Sequence, residues 1–260
     1  MTPEDLAVLQ KAVQSLEHPA FAARIANVVG KPIELVGHVL PASARQVIAV
    51  ATSKSLEVAL KAAVRTSQRN PQPGSRLVNR ALATASGAAG GAFGLAALPI
   101  ELPVSTVIML RAVADIARSE GEDPSDPEFA LSCVQVFALG GRTGSADGSE
   151  SGYFAVRGIL AKSVTEAARF IAERGIVEEG SPVLVRFIAL IASRLGIVVT
   201  QKVAAQALPI VGALGGAVVN YIFVEHFQEI AQGHFTVRRL ERVYGKDAVQ
   251  SQYERLARAS

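Results

Sequence analysis

The stretch Val203-Ala-Ala-Gln-Ala-Leu-Pro-Ile-Val-Gly-Ala-Leu-Gly-Gly-Ala-Val-Val-Asn-Tyr-Ile-Phe-Val224 decides the fold class, because it runs for 22 residues without a charged side chain. Within it, Gly212, Gly215 and Gly216 stand three and four residues apart. This spacing gives one face of a helix a smooth groove that a second backbone can approach closely. Pro209 cannot donate a helical hydrogen bond, so the stretch predicts the end of one helix and the start of the next.

A second uncharged stretch, Ala81 to Ile100, is 20 residues long and consists mostly of alanine and glycine. The two stretches predict a bundle built around two glycine-rich, uncharged central helices that pack on each other. Both also reach the length of a membrane-spanning helix. The chain has no tryptophan and only four tyrosines, however, so the usual aromatic belts are missing. Two interpretations stay open: buried helices of a soluble protein, or helices inserted in or seated on a membrane.

The rest of the chain shows the three-to-four spacing of amphipathic helices and no alternating β-branched run, so we predict an all-α protein. Thr2 and Pro3 suit the N-cap and the first position of a helix that ends before Pro19. Pro99 to Pro103 predict a break or kink. The other predicted helices span 21–29, 32–39, 41–68, 75–98, 104–119, about 126–139, 153–174, 182–208, 209–232 and 235–258.

The length of 260 residues fits one large domain or two small ones, and we predict a single helical domain over 1–260. Residues 140–152 are rich in glycine and serine and predict a flexible loop. Half of the residues are hydrophobic and 19% are charged, which indicates an apolar, packed protein. A net charge of only +3 makes nucleic acid an unlikely partner. The single cysteine, Cys133, excludes an internal disulfide and a zinc site built on several thiolates.

The two ends of the chain bear on localisation. Met1-Thr-Pro-Glu-Asp-Leu6 carries two acids before its first large apolar residue, so no secretory signal peptide is predicted and a cytoplasmic protein is expected. The C-terminal stretch is basic, which predicts either a solvated helix face or a contact with anionic lipid headgroups. Its basic residues are Arg238, Arg239, Arg242, Lys246, Arg255 and Arg258.

Several charged residues stand in apolar surroundings. A carboxylate at Glu101 requires a partner or a cavity with water, because burying it alone is costly. Arg111 and Asp115 are four residues apart and predict a local ion pair. Farther along, Arg186 and Arg194 form a polar stripe on an otherwise apolar helix. We expect that Glu101 either docks on such a stripe or lines a site with it.

Motifs for nucleotide, metal or nucleophilic chemistry are missing. Neither glycine cluster is followed by the Lys-Ser/Thr of a P-loop or preceded by a strand, so nucleotide binding is not expected. The four histidines match no metal-binding spacing, and we predict no metal and no other cofactor. Cys133 lies in an apolar helix, where a core thiol is the expected interpretation.

With these residues in view, the chain resembles the EcsC family of bacterial proteins over about 21–244. The pattern departs at Glu101, where aspartate is expected, and at Ser119-Glu120, where an aromatic residue often precedes the glycine. The matching motifs are Ala23-Arg-Ile-Ala-Asn27, Gly30-Lys-Pro-Ile33, Glu101-Leu-Pro103, Leu110-Arg111, Asp115-Ile-Ala117, Gly121-Glu-Asp123 and Pro209-Ile-Val-Gly212 with Gly215, Gly216, Asn220 and Tyr221.

The resemblance implies a helical, mostly membrane-associated protein of a family named after a component encoded beside an ABC transporter. No agreed biochemical activity comes with it. It also implies a set of motif residues of unknown role. These are Glu101, Pro103, Arg111, Asp115, Asp123, Gly212, Gly215, Gly216 and Asn220.

Our leading expectation is a non-enzymatic protein on the cytoplasmic face of a membrane that contacts lipid or a membrane partner, such as an ABC transporter. The first alternative is an enzyme acting on an amphiphilic substrate, with Glu101 as acid or base in an apolar pocket that would raise its pKa. The second alternative is a soluble helical scaffold. The substrate, the partner and the oligomeric state do not follow from the sequence.

Overall fold

Nine helices and no strand make up the part of the chain that the computed structural model describes, residues 1–17, 21–29, 40–67, 98–141, 152–174, 180–206 and 212–259. The predicted all-α, multi-helix bundle is thereby confirmed. In chain order the helices are α1 (Pro3–Glu17), α2 (Phe21–Val29), α3 (Ala42–Ser67), α4 (Leu98–Ser119), α5 (Phe129–Leu139), α6 (Gly152–Arg174), α7 (Pro182–Gln206), α8 (Gly212–Tyr244) and α9 (Lys246–Ala259).

Local signals place most of these helices correctly. At the start of α1, the backbone N–H of Asp5 donates to Thr2 Oγ1 at 3.2 Å, so Thr2 is the predicted N-cap. The bounds of α2 are as predicted, and those of α3 and α6 agree within a residue. The predicted helix over 32–39 and most of the glycine-rich helix over 75–98 lie outside the described residues.

The most enclosed helix of the described bundle is α5, which none of the glycine signals indicated. All of its residues are buried, because it packs against α3, α4, α6, α7 and α8. Its sequence, Phe-Ala-Leu-Ser-Cys-Val-Gln-Val-Phe-Ala-Leu, is apolar on every face, as a helix surrounded by other helices must be.

The longest helix, α8, is continuous where the sequence predicted two helices separated near 233–234. Gly233 serves packing rather than a turn. A Cβ there would lie 3.0 Å from Leu16 Cγ and 3.3 Å from the Ala12 carbonyl oxygen, so glycine lets α1 approach α8 closely. The helix ends instead before Gly245, whose φ of +86° suits glycine.

The prediction for the prolines at the start of α4 needs correction as well. The predicted break from Pro99 to Pro103 is absent, since α4 runs on from Leu98 through both prolines. Pro103 is the sixth residue of the described helix, where it removes the N–H that would bond the Pro99 carbonyl oxygen, so the predicted kink stays a prediction.

The predicted flexible loop does not begin at residue 140. Gly140 and Gly141 are both buried and pack tightly at the end of α5, while 142–151 lie outside the described residues. A Cβ on Gly140 would meet the ring of Phe227 at 2.5 Å. A Cβ on Gly141 would meet the Arg194 carbonyl oxygen at 2.1 Å. These glycines are therefore contact points that bring the end of α5 against α8 and α7.

His226 of α8 stabilises the contact between the end of α5 and α8. Its Nε2 donates to the Gly140 carbonyl oxygen at 2.9 Å, and its side chain is buried. Burial lowers the pKa of His226 to about 4, because the hydrogen bond to Gly140 only partly opposes desolvation and Arg24 lowers the pKa further. The neutral imidazole is therefore the form that the folded protein accepts.

Acid should destabilise the protein between about pH 6.5 and pH 4 through this histidine. In that window the unfolded chain binds a proton at His226 that the folded chain does not, so unfolding takes up a proton and lower pH favours it. The difference between the pKa of His226 in the unfolded and in the folded chain corresponds to a loss of about 3 kcal/mol of unfolding free energy once the pH is below both values. Denaturant titrations at several pH values should show a shallower pH dependence for His226→Gln, which keeps an N–H donor for Gly140. An unfolding free energy that depends equally on pH in the variant and in the wild type would contradict this assignment.

Candidate functional site

A buried ion pair joins α4 and α7. Lys202 Nζ donates to Glu101 Oε1 at 2.6 Å, and the exposed fractions of the two side chains are 0% and 6%. Ser105 Oγ lies 3.4 Å from the same carboxylate oxygen. The ammonium also lies 4.7 Å from the centre of the Phe223 ring on α8, within cation–π range. Glu101 thus has the partner that the sequence demanded, and the pair connects three helices.

The partner itself differs from the expectation. Glu101 docks on α7, but on Lys202 rather than on the stripe of Arg186 and Arg194. Arg186 instead pairs with Glu166 of α6 at 3.7 Å. Desolvation lowers the pKa of Lys202, although Glu101 opposes this through its charge and hydrogen bond. The sequence signal for Lys202 was its place as the last charge before the long uncharged stretch.

Four of the exposed apolar side chains lie on the parts of α4 and α8 that this ion pair joins, while others, such as Val50, Ile159 and Val243, lie elsewhere on the bundle. On α4, Ile100 and Val104 are 75% and 47% exposed and, being four residues apart, lie on one face. On α8, Val218 is 43% exposed, and Tyr221, one turn later, is exposed too. Because Glu101 and Phe223 both meet Lys202, these parts of α4 and α8 lie at the same level. We call these four residues the apolar end.

Polar groups begin one turn beyond Tyr221 on α8. The hydroxyl of Tyr221 donates a hydrogen bond to Glu225 Oε1 at 3.3 Å. Arg24 of α2 reaches Glu225 Oε2 at 3.3 Å and Glu229 Oε1 at 2.8 Å. The outer surface of α8 therefore changes from apolar to charged between residues 221 and 225.

The opposite end of the same helices is charged. There Gly121, with φ of +82°, turns the chain between α4 and α5. The next residue, Glu122, accepts two hydrogen bonds from Arg238 at 2.8 and 2.9 Å and a further bond from Arg242. Burial alone would raise the pKa of Glu122, but Arg238 and Arg242 outweigh burial and lower it.

This finding changes the interpretation of three of the six basic residues of the C-terminal stretch. Arg238 and Arg242 pair with Glu122, while Arg239 pairs with Glu120 at 2.9 Å and with Asp5 at 3.5 Å. Their charges are compensated by carboxylates of the turn after α4 and of α1. Glu120, which departs from the family pattern at this position, thus has a structural role.

A cleft of about 470 Å³ lies beside these pairs. Arg157 and Glu241 form a two-pronged ion pair in its wall, with both N–O distances at 2.7 Å. Asp123, a predicted motif residue, lines the cleft and accepts hydrogen bonds from the backbone N–H and the hydroxyl of Ser125. These bonds lower the pKa of Asp123. The arginines of the cleft wall are already paired with carboxylates, Arg157 with Glu241 and both Arg238 and Arg242 with Glu122.

The remaining motif residues are distributed along the bundle. Pro103 is half-buried on α4. Arg111 is exposed on the same helix, and the predicted pair with Asp115 is replaced by a pair between Asp115 and Arg118. Asn220 is fully buried on α8. Gly212 and Gly215 lie in the first turn of α8, and Gly216 is buried.

The structure does not bring the predicted site residues into one site. Glu101 lies at the apolar end together with the start of α8, whereas Asp123 lies at the charged end. The buried polar partners Lys202, Arg157 and Glu241 were not predicted. Among the described residues, no three His, Cys, Asp or Glu side chains converge in a way that would hold a metal ion. Burial raises the pKa of Cys133, which disfavours its thiolate.

One helix of the described chain is long and apolar enough to cross a bilayer. It is α7, whose most apolar segment has a mean hydropathy of 2.1 and is 39% buried within the protein. Residues 203–206 of the uncharged stretch belong to α7 and residues 212–224 to α8, while the break predicted at Pro209 lies outside the described residues. Residues 81–97 of the other stretch lie outside the described residues.

The model of the EcsC protein family matches residues 4–240, which is most of the chain. No curated protein and no solved structure matches it.

Proposed function

The chain belongs to the EcsC protein family, and on that premise we propose that it is a non-enzymatic helical protein that binds a membrane surface peripherally through its apolar end. The observation that carries the proposal is a group of four exposed apolar side chains on neighbouring parts of α4 and α8, at the end of these helices away from the arginine–carboxylate pairs. Ile100, Val104, Val218 and Tyr221 lie at one end of α4 and α8, and the arginine–carboxylate pairs lie at the other.

The size of the apolar end suits a reversible contact. Burying a fully exposed valine or isoleucine side chain is worth about 1.5–3 kcal/mol. Weighted by their exposed fractions, Ile100, Val104 and Val218 together supply roughly 3 kcal/mol. Tyr221 adds an amphipathic ring whose hydroxyl already faces the polar side, which is the arrangement favoured at a membrane interface.

The buried ion pair supports a structural role for Glu101 rather than catalysis. Its carboxylate is occupied by Lys202 and Ser105 and has little exposed area, and it does not line the described cleft. A general acid or base needs access to a substrate proton. The pair fits a role in holding α4, α7 and α8 together beneath the apolar end, and a transporter or other membrane protein is a partner compatible with the same surface.

Vesicle flotation should test the apolar end directly. We expect Ile100→Gln/Val104→Gln to bind phospholipid vesicles at least tenfold less than the wild type, because two of its apolar side chains can no longer enter the bilayer. Val243→Gln is the matched control, since Val243 is 63% exposed but lies at the charged end of α8. Loss of binding in the control, or unchanged binding in the double variant, would contradict the proposal.

Fractionation of the native protein separates the modes of attachment. Peripheral seating predicts recovery in the membrane pellet and release by alkaline carbonate. Retention through carbonate would instead indicate that apolar helices enter the bilayer, and recovery in the soluble fraction from the start would favour the scaffold. Release by high salt alone would point to a purely electrostatic contact.

A further inference from the structure

Arg111 lies on the same face of α4 as the apolar end. Residues 100, 104, 107, 108 and 111 follow helical spacing, and their exposure decreases from Ile100 through the half-buried Val107 and Ile108 before Arg111 is exposed again. The rise of 1.5 Å per residue places the Cα of Arg111 about 10 Å beyond that of Val104. Arg111 is thus the first charge on this face.

The charge of Arg111 is not compensated within the described protein. Its neighbour at i+4, Asp115, pairs with Arg118 on its far side. By contrast, the arginines of the charged end, Arg238, Arg239 and Arg242, pair with Glu120 or Glu122. The carboxylates thus neutralise the arginines of the charged end, whereas no salt bridge of Arg111 occurs among the described residues.

The direction of the side chain completes the argument. Side chains of a helix point back towards its N-terminus, so the stem of Arg111 lies over Val107 and Ile108 and carries the guanidinium towards Val104. When the apolar end is seated in a bilayer, this position coincides with the headgroup layer, which extends about 5–7 Å beyond the hydrocarbon. A guanidinium there matches the geometry of a lipid phosphate.

We infer that Arg111 binds the phosphate of anionic lipids and makes the membrane contact selective for negatively charged bilayers. The inference rests on the proposed membrane function and adds the class of lipid. The nearest charges on α4, Asp115 and Arg118, pair with each other, so neither of them offsets the charge of Arg111 through a salt bridge.

The test compares vesicles of phosphatidylcholine with vesicles that contain 30% phosphatidylglycerol, at roughly physiological salt. We expect the wild type to bind the anionic vesicles more tightly than the neutral ones. Arg111→Gln should lose about fivefold of that binding to anionic vesicles, which corresponds to about 1 kcal/mol per basic residue near an anionic surface. Its binding to neutral vesicles should stay unchanged, and Arg111→Lys should fall between the two.

Lys246→Gln removes the same charge at the far end of the bundle and is the matched control. Equal losses in Lys246→Gln and Arg111→Gln would overturn the inference, because only the net charge would then matter. Equal binding of the wild type to neutral and anionic vesicles would also overturn it while leaving the proposed function intact. Failure of the wild type to bind either vesicle would overturn both. Circular dichroism of Arg111→Gln should match the wild type, as expected for an exposed substitution.

Discussion

A Lys202→Met variant will lose about 3–5 kcal/mol of unfolding free energy, because it leaves the carboxylate of Glu101 buried without its counter-charge. Methionine has nearly the length of the lysine stem, so the loss reports on the charge rather than on a cavity. The effect is large because the lysine is fully buried and its nitrogen lies 2.6 Å from the carboxylate. Denaturant titration at neutral pH measures it.

The double variant Glu101→Gln/Lys202→Met distinguishes the buried charge from lost packing. Once the carboxylate is removed as well, most of the lost stability should return, since replacing both members of a buried pair is often neutral. Lys162→Met is the control, because Lys162 is exposed and its pair with Glu166 is long at 3.9 Å. A single variant within 1 kcal/mol of the wild type, or a double variant as unstable as the single one, would refute the assignment.

Gly141→Ala should be comparably damaging for a different reason. The added Cβ would lie 2.1 Å from the Arg194 carbonyl oxygen and 2.4 Å from the carbonyl carbon. Both atoms belong to the backbone of α7, so relief requires moving a helix rather than turning a side chain. Overpacking of this kind costs typically 1–3 kcal/mol and more where the backbone is rigid. We therefore expect a loss of about 3 kcal/mol or more in thermal or denaturant unfolding.

Gly158→Ala gives the opposite result if this explanation is right. Gly158 is exposed within α6, and no neighbouring atom lies within 4 Å of a Cβ placed there. Alanine at such a helical position should stabilise the protein by about 0.5–1 kcal/mol. A mild effect of Gly141→Ala, similar in size to that of Gly158→Ala, would mean that the end of α5 does not press against α7.

The helices followed from the sequence where their signals are local. Thr2 and Pro3 started α1 as predicted, and the apolar spacing placed α2 and α3 almost to the residue. Local signals failed where a long-range contact overrode them. Gly233 resembled a helix end but is a contact with α1, and Gly140 and Gly141 resembled a loop but are contacts with α8 and α7.

The same division applies to the charged residues. The need of Glu101 for a partner could be predicted, because desolvation of a carboxylate depends only on its apolar surroundings. The choice of Lys202 could not, since it lies 101 residues away and its selection depends on how α4, α7 and α8 rotate against one another. Asp115 likewise had two arginines within reach, and the structure selects Arg118.

By itself, the sequence determined that this protein is an all-α bundle with strongly apolar helices and a carboxylate that must be compensated. Helix formation depends on backbone hydrogen bonds and side-chain spacing within a few residues, and both can be read along the chain. Only the tertiary structure decided that α5 is enclosed, that Arg238, Arg239 and Arg242 are neutralised, and that four apolar side chains stay exposed on neighbouring parts of α4 and α8. These features arise from contacts between helices far apart in the chain, whose mutual rotation and register are set by packing of the whole core.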